Sequence, residues 1–421
     1  MKVFKFGGAS VKSAEGVINL SKIISDKLEK GDIVVVSAMG KTTAGLEEMA
    51  FKVLAGNNQY VADFESIRIY HQEIVESLFG QQPEHVAVAG QIDELFDKLS
   101  FTLRAERTAG DRAFLDLVLS YGEILSTSIV AVYLQHQQMA VQWKDIRKYI
   151  RTDGQYGAAR VDWVPTINGI QTGLASEDKI VVTQGYIAST SAGETTTLGK
   201  EGSDFTAAII ARACGAEGVT FWKDVPGVYN ADPKSQPDAT PYQMLSYRQV
   251  VEMTYYGAKV IHPKTMRPLA ESGIPLHVRS FLEPELPGTM ITGEAEEDDS
   301  SQMIFKHNQV LVSFKIINLE FISEHNIGLI FYTFDRLGIQ TNIIQSSATS
   351  CTFAFDFDED RLEKLLEALA DKFSMYFNKG LTLATFGNVA DEVIETYLAG
   401  TEVYLRQASR TKVRVLYKAL Q

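Results

Sequence analysis

Short apolar runs alternate with longer amphipathic stretches through the first two thirds of the chain. Val3–Phe6, Ile33–Ala38, Ile180–Gly185, Val219–Trp222 and Leu276–Arg279 are rich in apolar residues, and most of them lack a strict polar–apolar alternation. That texture belongs to strands covered on both faces. Between them, Ala14–Lys30, Gly45–Leu54, Val61–Phe79, Ile92–Leu103, Asp116–Gln137, Ser203–Ala213 and Ser246–Tyr255 read as helices. The alternation predicts an α/β domain over residues 1–282: a mostly parallel sheet, right-handed crossovers, and helices on both faces.

Residues 283–302 break the pattern with Glu283-Pro, Leu286-Pro-Gly and the acidic run Glu294–Asp299, and read as a linker. Beyond it, Gln309–Ile316 reads as a strand, Gly328–Leu337 as a helix, Thr341–Gln345 and Cys351–Phe357 as strands, and Arg361–Lys372 as an amphipathic helix. A shorter echo follows: strand Leu381–Phe386, helix Val389–Ala399, strands Glu402–Arg406 and Lys412–Leu416. The repeated order predicts two small α+β units, 303–378 and a shortened 379–421.

Composition narrows the classes. The 421 residues suffice for two or three domains, and 45% hydrophobic with 22% charged residues is an ordinary globular balance. A net charge of −13 weighs against nucleic-acid and anionic-membrane partners, which reward clustered Lys and Arg. No uninterrupted apolar run approaches a membrane span, and the chain opens directly on a strand without room for a signal peptide, so a cytoplasmic location is expected. Cys214 and Cys351 lie far apart and form neither a disulfide framework nor a zinc pattern; they read as two reduced thiols.

Six stretches carry candidate chemistry. Lys5-Phe-Gly-Gly8 ends the first strand in paired glycines that can turn N–H groups toward an anion; the alternative is an ordinary tight turn beside a solvated lysine. Leu198-Gly-Lys-Glu-Gly-Ser-Asp204 runs into a helix that Ser203 or Asp204 would cap, again facing an anion or merely capping. Ser37 and Thr42, after the second strand, can hold a polar substrate or bond local backbone. Glu123 follows Gly122 inside an apolar helix and can accept an ammonium group, or can lie on the helix surface. The loop from Lys223 offers Asp224, Tyr229 and Lys234, a mix that suits a nucleotide or a plain loop. Lys259 follows the helix stop near Gly257 and can face phosphate, whereas His262 before Pro263 reads as a hydrogen-bonded structural histidine.

In order, these stretches resemble the aspartate kinases of the amino-acid kinase superfamily. Lys5-Phe-Gly-Gly-Ala-Ser-Val11, Ser120-Tyr-Gly-Glu123, Leu198-Gly-x-x-Gly-Ser-Asp204, Asp224-Val-x-Gly-Val-Tyr-x-x-Asp-Pro233, Gly257-Ala-Lys-Val-x-His-Pro263 and Pro287-Gly-Thr-x-Ile291 follow the family sequence of blocks, and the tail is similar to paired ferredoxin-like ACT domains. The resemblance implies phosphorylation of the L-aspartate β-carboxylate by ATP, giving 4-phospho-L-aspartate, on the way to lysine, threonine and methionine. It implies Lys5, Asp204 and Gly8 in catalysis; Thr42, Glu123, Lys200 and Ser203 at the substrate; and Lys5, Gly7, Gly8, Ser10, Lys223, Asp224, Tyr229, Lys234 and Lys259 at the nucleotide. Mg²⁺ is expected through the ATP phosphates, with no protein metal site, and a homodimer through the ACT-like units.

The departures are specific. Ala9 replaces a Thr, Lys200 stands where an Arg grips the substrate α-carboxylate, and Lys223 stands where a Thr precedes the nucleotide-loop Asp; together they imply altered substrate binding with activity retained. In the first ACT-like unit Asn342 and Ala348 replace carboxylates that a lysine effector needs, and the second carries Gln407-Ala-Ser-Arg410 in place of the family run. Weak or absent lysine feedback is expected. The rival readings are a kinase for glutamate, acetylglutamate, carbamate or a nucleoside monophosphate, and a degenerate kinase kept as an amino-acid sensor or partner subunit.

Overall fold

The computed structural model describes all residues except 81, 106–109, 177, 234, 235, 237, 259, 296–299, 318, 319 and 421, and the side chains of 83 and 84. Two compact units emerge. The first is Met1–Val228, Pro241–Val251 and Ile261–Glu297; the second is Tyr229–Thr240, Glu252–Val260 and Asp298–Gln421.

In the first unit the strands are β1 (Lys2–Phe6), β2 (Ile33–Val36), β3 (Val141–Lys144), β4 (Arg151–Thr152), β5 (Ile180–Gln184), β6 (Ile187–Thr190), β7 (Thr195–Thr197), β8 (Gly218–Lys223), β9 (Met244–Ser246), β10 (Leu276–Ser280) and β11 (Thr289–Thr292). The helices are α1 (Ala14–Lys27), α2 (Thr42–Leu54), α3 (Tyr60–Phe79), α4 (Pro83–Arg104), α5 (Asp111–His136), α6 (Trp163–Gly169), α7 (Gly202–Cys214), α8 (Tyr247–Tyr256, whose last turns fall in the second unit) and α9 (Pro263–Glu271).

Eight strands form one sheet in the order β3-β5-β2-β1-β8-β10-β11-β9, and every neighbouring pair is parallel except β10–β11. β4, β6 and β7 make a separate small sheet. The apolar runs are strands because both sheet faces are covered. Phe4, Phe6, Val34 and Val36 pack into one cluster with α1–α5, while α7 packs against β1, β2 and β8. α5 is long and apolar enough to cross a membrane, with mean hydropathy 1.6 over its best window, but most of it is buried in this core. It also carries buried Asp116, Ser120, Glu123, Ser126 and Thr127. The Asp116 carboxylate accepts hydrogen bonds from the Gly157 and Thr197 N–H groups and the Thr197 hydroxyl.

The expected linker at 283–302 is not free of structure. It holds β11, which pairs with β10 and β9, so the large sheet continues through it. Pro-rich punctuation hid a short edge-side strand of only four residues.

The second unit contains β12 (Gln302–Ile316), α10 (Glu324–Leu337), β13 (Thr341–Ser346), β14 (Ser350–Asp356), α11 (Glu359–Leu369), β15 (Phe373–Gly387), α12 (Asp391–Leu398), β16 (Thr401–Ala408) and β17 (Lys412–Ala419). Its strands form one antiparallel sheet, β13-β14-β12-β15-β17-β16. The two ACT-like repeats are thus fused: β12 and β15 each run 15 residues and belong to both halves. The expected break at 378/379 falls inside β15. Among the described residues α10 and α11 pack on Val312, Phe314, Phe353 and Phe355, and α12 packs on Phe386 and Val415.

The opposite sheet face of this unit is partly polar. Lys306 Nζ donates to Asn342 Oδ1 at 2.7 Å, and Asn342 Nδ2 donates to Gln309 Oε1 (2.7 Å) and Asp356 Oδ1 (2.9 Å). Gln309 Nε2 also donates to Asp356 Oδ1, at 2.7 Å.

Candidate active site

Strand alternation decides where Lys5 points. Phe4 and Phe6 face the α1–α5 cluster, so Lys5 faces the other side, toward α7. β8 runs parallel to β1 with Lys5 opposite Phe221, so Lys223, two residues on, projects to the same side. Asp204 waits there in the first turn of α7. Lys5 Nζ lies 2.6 Å from its Oδ1 and Lys223 Nζ 3.6 Å from its Oδ2. Burial by itself would raise the Asp204 pKa, but the charges of the two lysines and their hydrogen bonds outweigh it and hold the carboxyl below its ordinary value.

These three side chains line a cavity of about 580 Å³. Its floor is the end of β1. The Gly40 N–H donates to Gly8 O at 3.0 Å and the Ser37 N–H to Phe6 O at 3.1 Å, lacing the two strand-end loops together. A Cβ at Gly8 would sit 2.6 Å from the Ala38 carbonyl oxygen, so only glycine fits. The amino end of α7 closes another wall through Gly202, Ser203 and Asp204. The first N–H groups of a helix lack intrahelical acceptors and favour an anion.

Glu123 forms the far wall from α5. Its Oε1 accepts the Ala38 N–H at 3.4 Å, and among the described residues its buried Oε2 has no hydrogen-bond partner. Burial pushes its pKa up to about 8. α5 can come this close because position 122 is glycine: a Cβ there would meet Ala38 Cβ at 3.0 Å.

The structure brings together Lys5, Gly8, Glu123, Lys200, Ser203, Asp204 and Lys223 around the cavity. Other sequence-predicted residues lie elsewhere. Thr42 turns its hydroxyl to Met39 O (2.7 Å), and the neighbouring Thr43 lines the cavity. Thr42 opens α2, and its side chain follows the helix inward. The Ser10 hydroxyl is buried and donates to Trp222 O at 3.5 Å. Gly7 sits beside Lys5 Nζ, and Asp224 is exposed on the loop after β8. Tyr229 falls in the second unit, and Lys234 and Lys259 lie outside the described residues.

The cap of α7 is neither Ser203 nor Asp204 but Glu201, in a left-handed conformation at φ +55°; the helix begins earlier than its apolar pattern. His262 is hydrogen-bonded, as expected of a structural histidine, but only partly buried. Its Nδ1 accepts the Lys264 N–H at 3.2 Å and caps α9. Cavity residues that the sequence reading did not single out include Glu47, Gly157, Tyr186 and Glu201, the last two being non-glycine residues at positive φ. For Tyr186 the signal was a tyrosine directly after a strand-end glycine.

The amino acid kinase family profile matches residues 1–280. Lysine-sensitive aspartokinase 3 of Escherichia coli K12 is 31% identical over 358 residues, covering 84% of this chain and 78% of that protein. The bifunctional aspartokinase/homoserine dehydrogenase 2 of Arabidopsis thaliana chloroplasts is 28% identical over 90% of this chain, which spans only 42% of its length. A crystal structure of E. coli aspartokinase III in complex with aspartate and ADP superposes with a TM-score of 0.83 at 27% identity, covering 99% of this chain and 96% of that one. A profile matching two thirds of the chain, and a relative aligned over most of both lengths, place this chain in the amino acid kinase family, among its aspartokinases.

Proposed function

We infer that this chain transfers the γ-phosphoryl group of ATP to the β-carboxylate of L-aspartate, releasing 4-phospho-L-aspartate and ADP. One observation carries the reading: a Lys5–Asp204–Lys223 cluster and a buried Glu123, whose Oε2 has no partner among the described residues, share one cavity. The first suits a phosphoryl group in transfer, the second an amino-acid ammonium. The aspartate and ADP bound to the related aspartokinase III support the pairing.

The chemistry asks little of a base. A β-carboxylate is already an anion at neutral pH, so its oxygen attacks the γ-phosphorus directly. The bond to the β–γ bridging oxygen breaks in line, and ADP leaves with the electron pair. Lys5 and Lys223 face the charge that spreads over the transferring group, and Asp204 holds both ammonium groups in place. Glu123 accepts the substrate ammonium through Oε2, and Lys200 and Ser203 take its α-carboxylate. Among the described residues no three His, Cys, Asp or Glu side chains converge on one point, and Asp204 is already engaged by cations. A divalent ion carried on the ATP phosphates would supply further neutralisation of their charge.

Two wider readings belong with this one. A cytoplasmic location fits the burial of α5, the one membrane-length apolar helix among the described residues. A homodimer through the tail fits the exposed Phe331, Tyr332, Tyr376 and Phe377, and light scattering after size exclusion checks it.

The test is ADP release with Mg-ATP and L-aspartate, with hydroxylamine present to trap the acyl phosphate and with L-glutamate and acceptor-free controls. Aspartate-dependent hydroxamate that disappears in Lys5→Ala is the expected result. ATP binding without any aspartate-dependent hydroxamate would overturn the reading and leave a sensor.

A further inference from the structure

Lys200 is exposed at the cavity rim, on a loop with no side-chain cap at the helix it precedes. A long lysine on an unsupported loop would be a poor clamp for a carboxylate, because ordering it costs rotamer freedom. The loop is supported on both sides of Lys200. On one side, Glu201 Oε2 accepts the His262 N–H at 2.8 Å. On the other, Lys264 Nζ donates to Leu198 O at 3.0 Å, while its ammonium lies 5.7 Å over the Phe205 ring. Both anchors come from the amino end of α9, which His262 itself caps.

Glu201 holds a left-handed backbone, φ +55°, that residues with a Cβ seldom adopt. Glycine would take that conformation without strain. A carboxylate at the rim of a cavity for two anionic substrates is also electrostatically unfavourable. Glu201 is thus disfavoured at this position by both backbone and charge. Among the described residues its bond to His262 and the nearby charge of Lys264 compensate for this.

We propose that Glu201 is a positioning residue: with Lys264 it fastens the 198–202 loop to α9 and so holds Lys200 where it can grip the substrate α-carboxylate. This rests on the aspartate kinase reading, and the assay separates the two. If the unsubstituted chain forms no aspartate-dependent hydroxamate, that reading fails before the latch is tested.

Three variants decide the latch: Glu201→Gly, Glu201→Gln and Lys264→Met. Glu201→Gly relieves the backbone, so its melting temperature holds or rises and misfolding cannot explain a defect. It nevertheless loses the anchor, and its KM for L-aspartate rises roughly 3- to 10-fold, the worth of one such hydrogen bond, with kcat little changed. Glu201→Gln keeps an acceptor oxygen, and its KM stays within about twofold of the parent's. Lys264→Met raises KM in the same direction. If the carboxylate acted by charge alone, Gly and Gln would both lower KM, since each removes a negative charge from the rim. That outcome, or an unchanged KM in both Glu201→Gly and Lys264→Met, overturns the proposal.

Discussion

Glu123 gives the sharpest pH-dependent consequence. Its folded pKa of about 8 stands well above its ordinary 4.5. A carboxyl raised on folding binds its proton more tightly in the native state. The stability it contributes is full below the unfolded value and is lost as pH climbs through the folded one. Over that window the parent loses roughly 3–5 kcal/mol from this group, about 1.4 kcal/mol per pH unit. Glu123→Gln keeps the shape and an acceptor for the Ala38 N–H but cannot ionise. Its unfolding free energy, from urea melts at each pH, is therefore flatter between pH 5 and 8. It should exceed the parent's at pH 8. The same proton couples to substrate. An ammonium group beside Oε2 favours the ionised carboxylate, so binding below pH 8 expels one proton. KM for L-aspartate in the parent should fall by up to tenfold per pH unit from pH 6 toward 8, then level off. In Glu123→Gln the KM is raised and the slope is gone. A parent KM that is flat across that range, or a Gln variant with the parent's pH–stability profile, would refute the assignment of Glu123 as a buried acid waiting for a cation.

Three further outcomes are expected. Lys5→Ala leaves Asp204 with Lys223 alone, and kcat should drop at least about 100-fold in a coupled ADP-release assay; a loss under tenfold would show that Lys5 does not face the transferring group. Gly8→Ala drives a Cβ against the Ala38 carbonyl and should cost roughly 1–3 kcal/mol in thermal melts together with ATP affinity by calorimetry, and unchanged ATP binding would contradict the laced-loop geometry. Free L-lysine should inhibit weakly or not at all, because Asn342 is neutral and already bonded to the chain's own Lys306, Gln309 and Asp356; an inhibition curve with a sub-millimolar midpoint would sink this.

Much of the fold was legible because burial on both faces leaves a plain mark: β1, β2, β5, β8 and β10 fall in the short apolar-rich runs. What the pattern concealed was short or continuous. β4, β7, β9 and β11 have two to four residues, too few for any period to register, and β11 sits amid prolines. β12 and β15 are long strands whose register shifts near Lys306 and Gln309, so their two halves look like separate strands, and a shared sheet looks like two units. In the site, residues from short glycine-bounded blocks line one cavity: Lys5, Gly8, Glu123, Ser203, Asp204. Thr42 and Thr43 are chemically alike and adjacent. Only the start of α2 decides which hydroxyl turns to Met39 and which side chain meets the cavity. Glu201 was hidden for the opposite reason, since nothing in a one-dimensional pattern reports a positive φ.

The cavity is not a basic funnel. Lys5, Lys200 and Lys223 share its lining with Glu47, Glu123, Glu201 and Asp204, and the chain as a whole is acidic. Bulk potential therefore does not explain how two anions come to lie side by side there. Local order does. At one end two ammonium groups lie against a buried carboxylate at the amino end of a helix. At the other end burial raises the pKa of Glu123, whose Oε2 has no partner among the described residues; on the proposed reading it would take the ammonium of the acceptor. An acceptor with a carboxylate but no ammonium meets only the first of these. The separation of the two ends, more than the number of positive charges, is what makes the site fit an amino acid and a nucleoside triphosphate together.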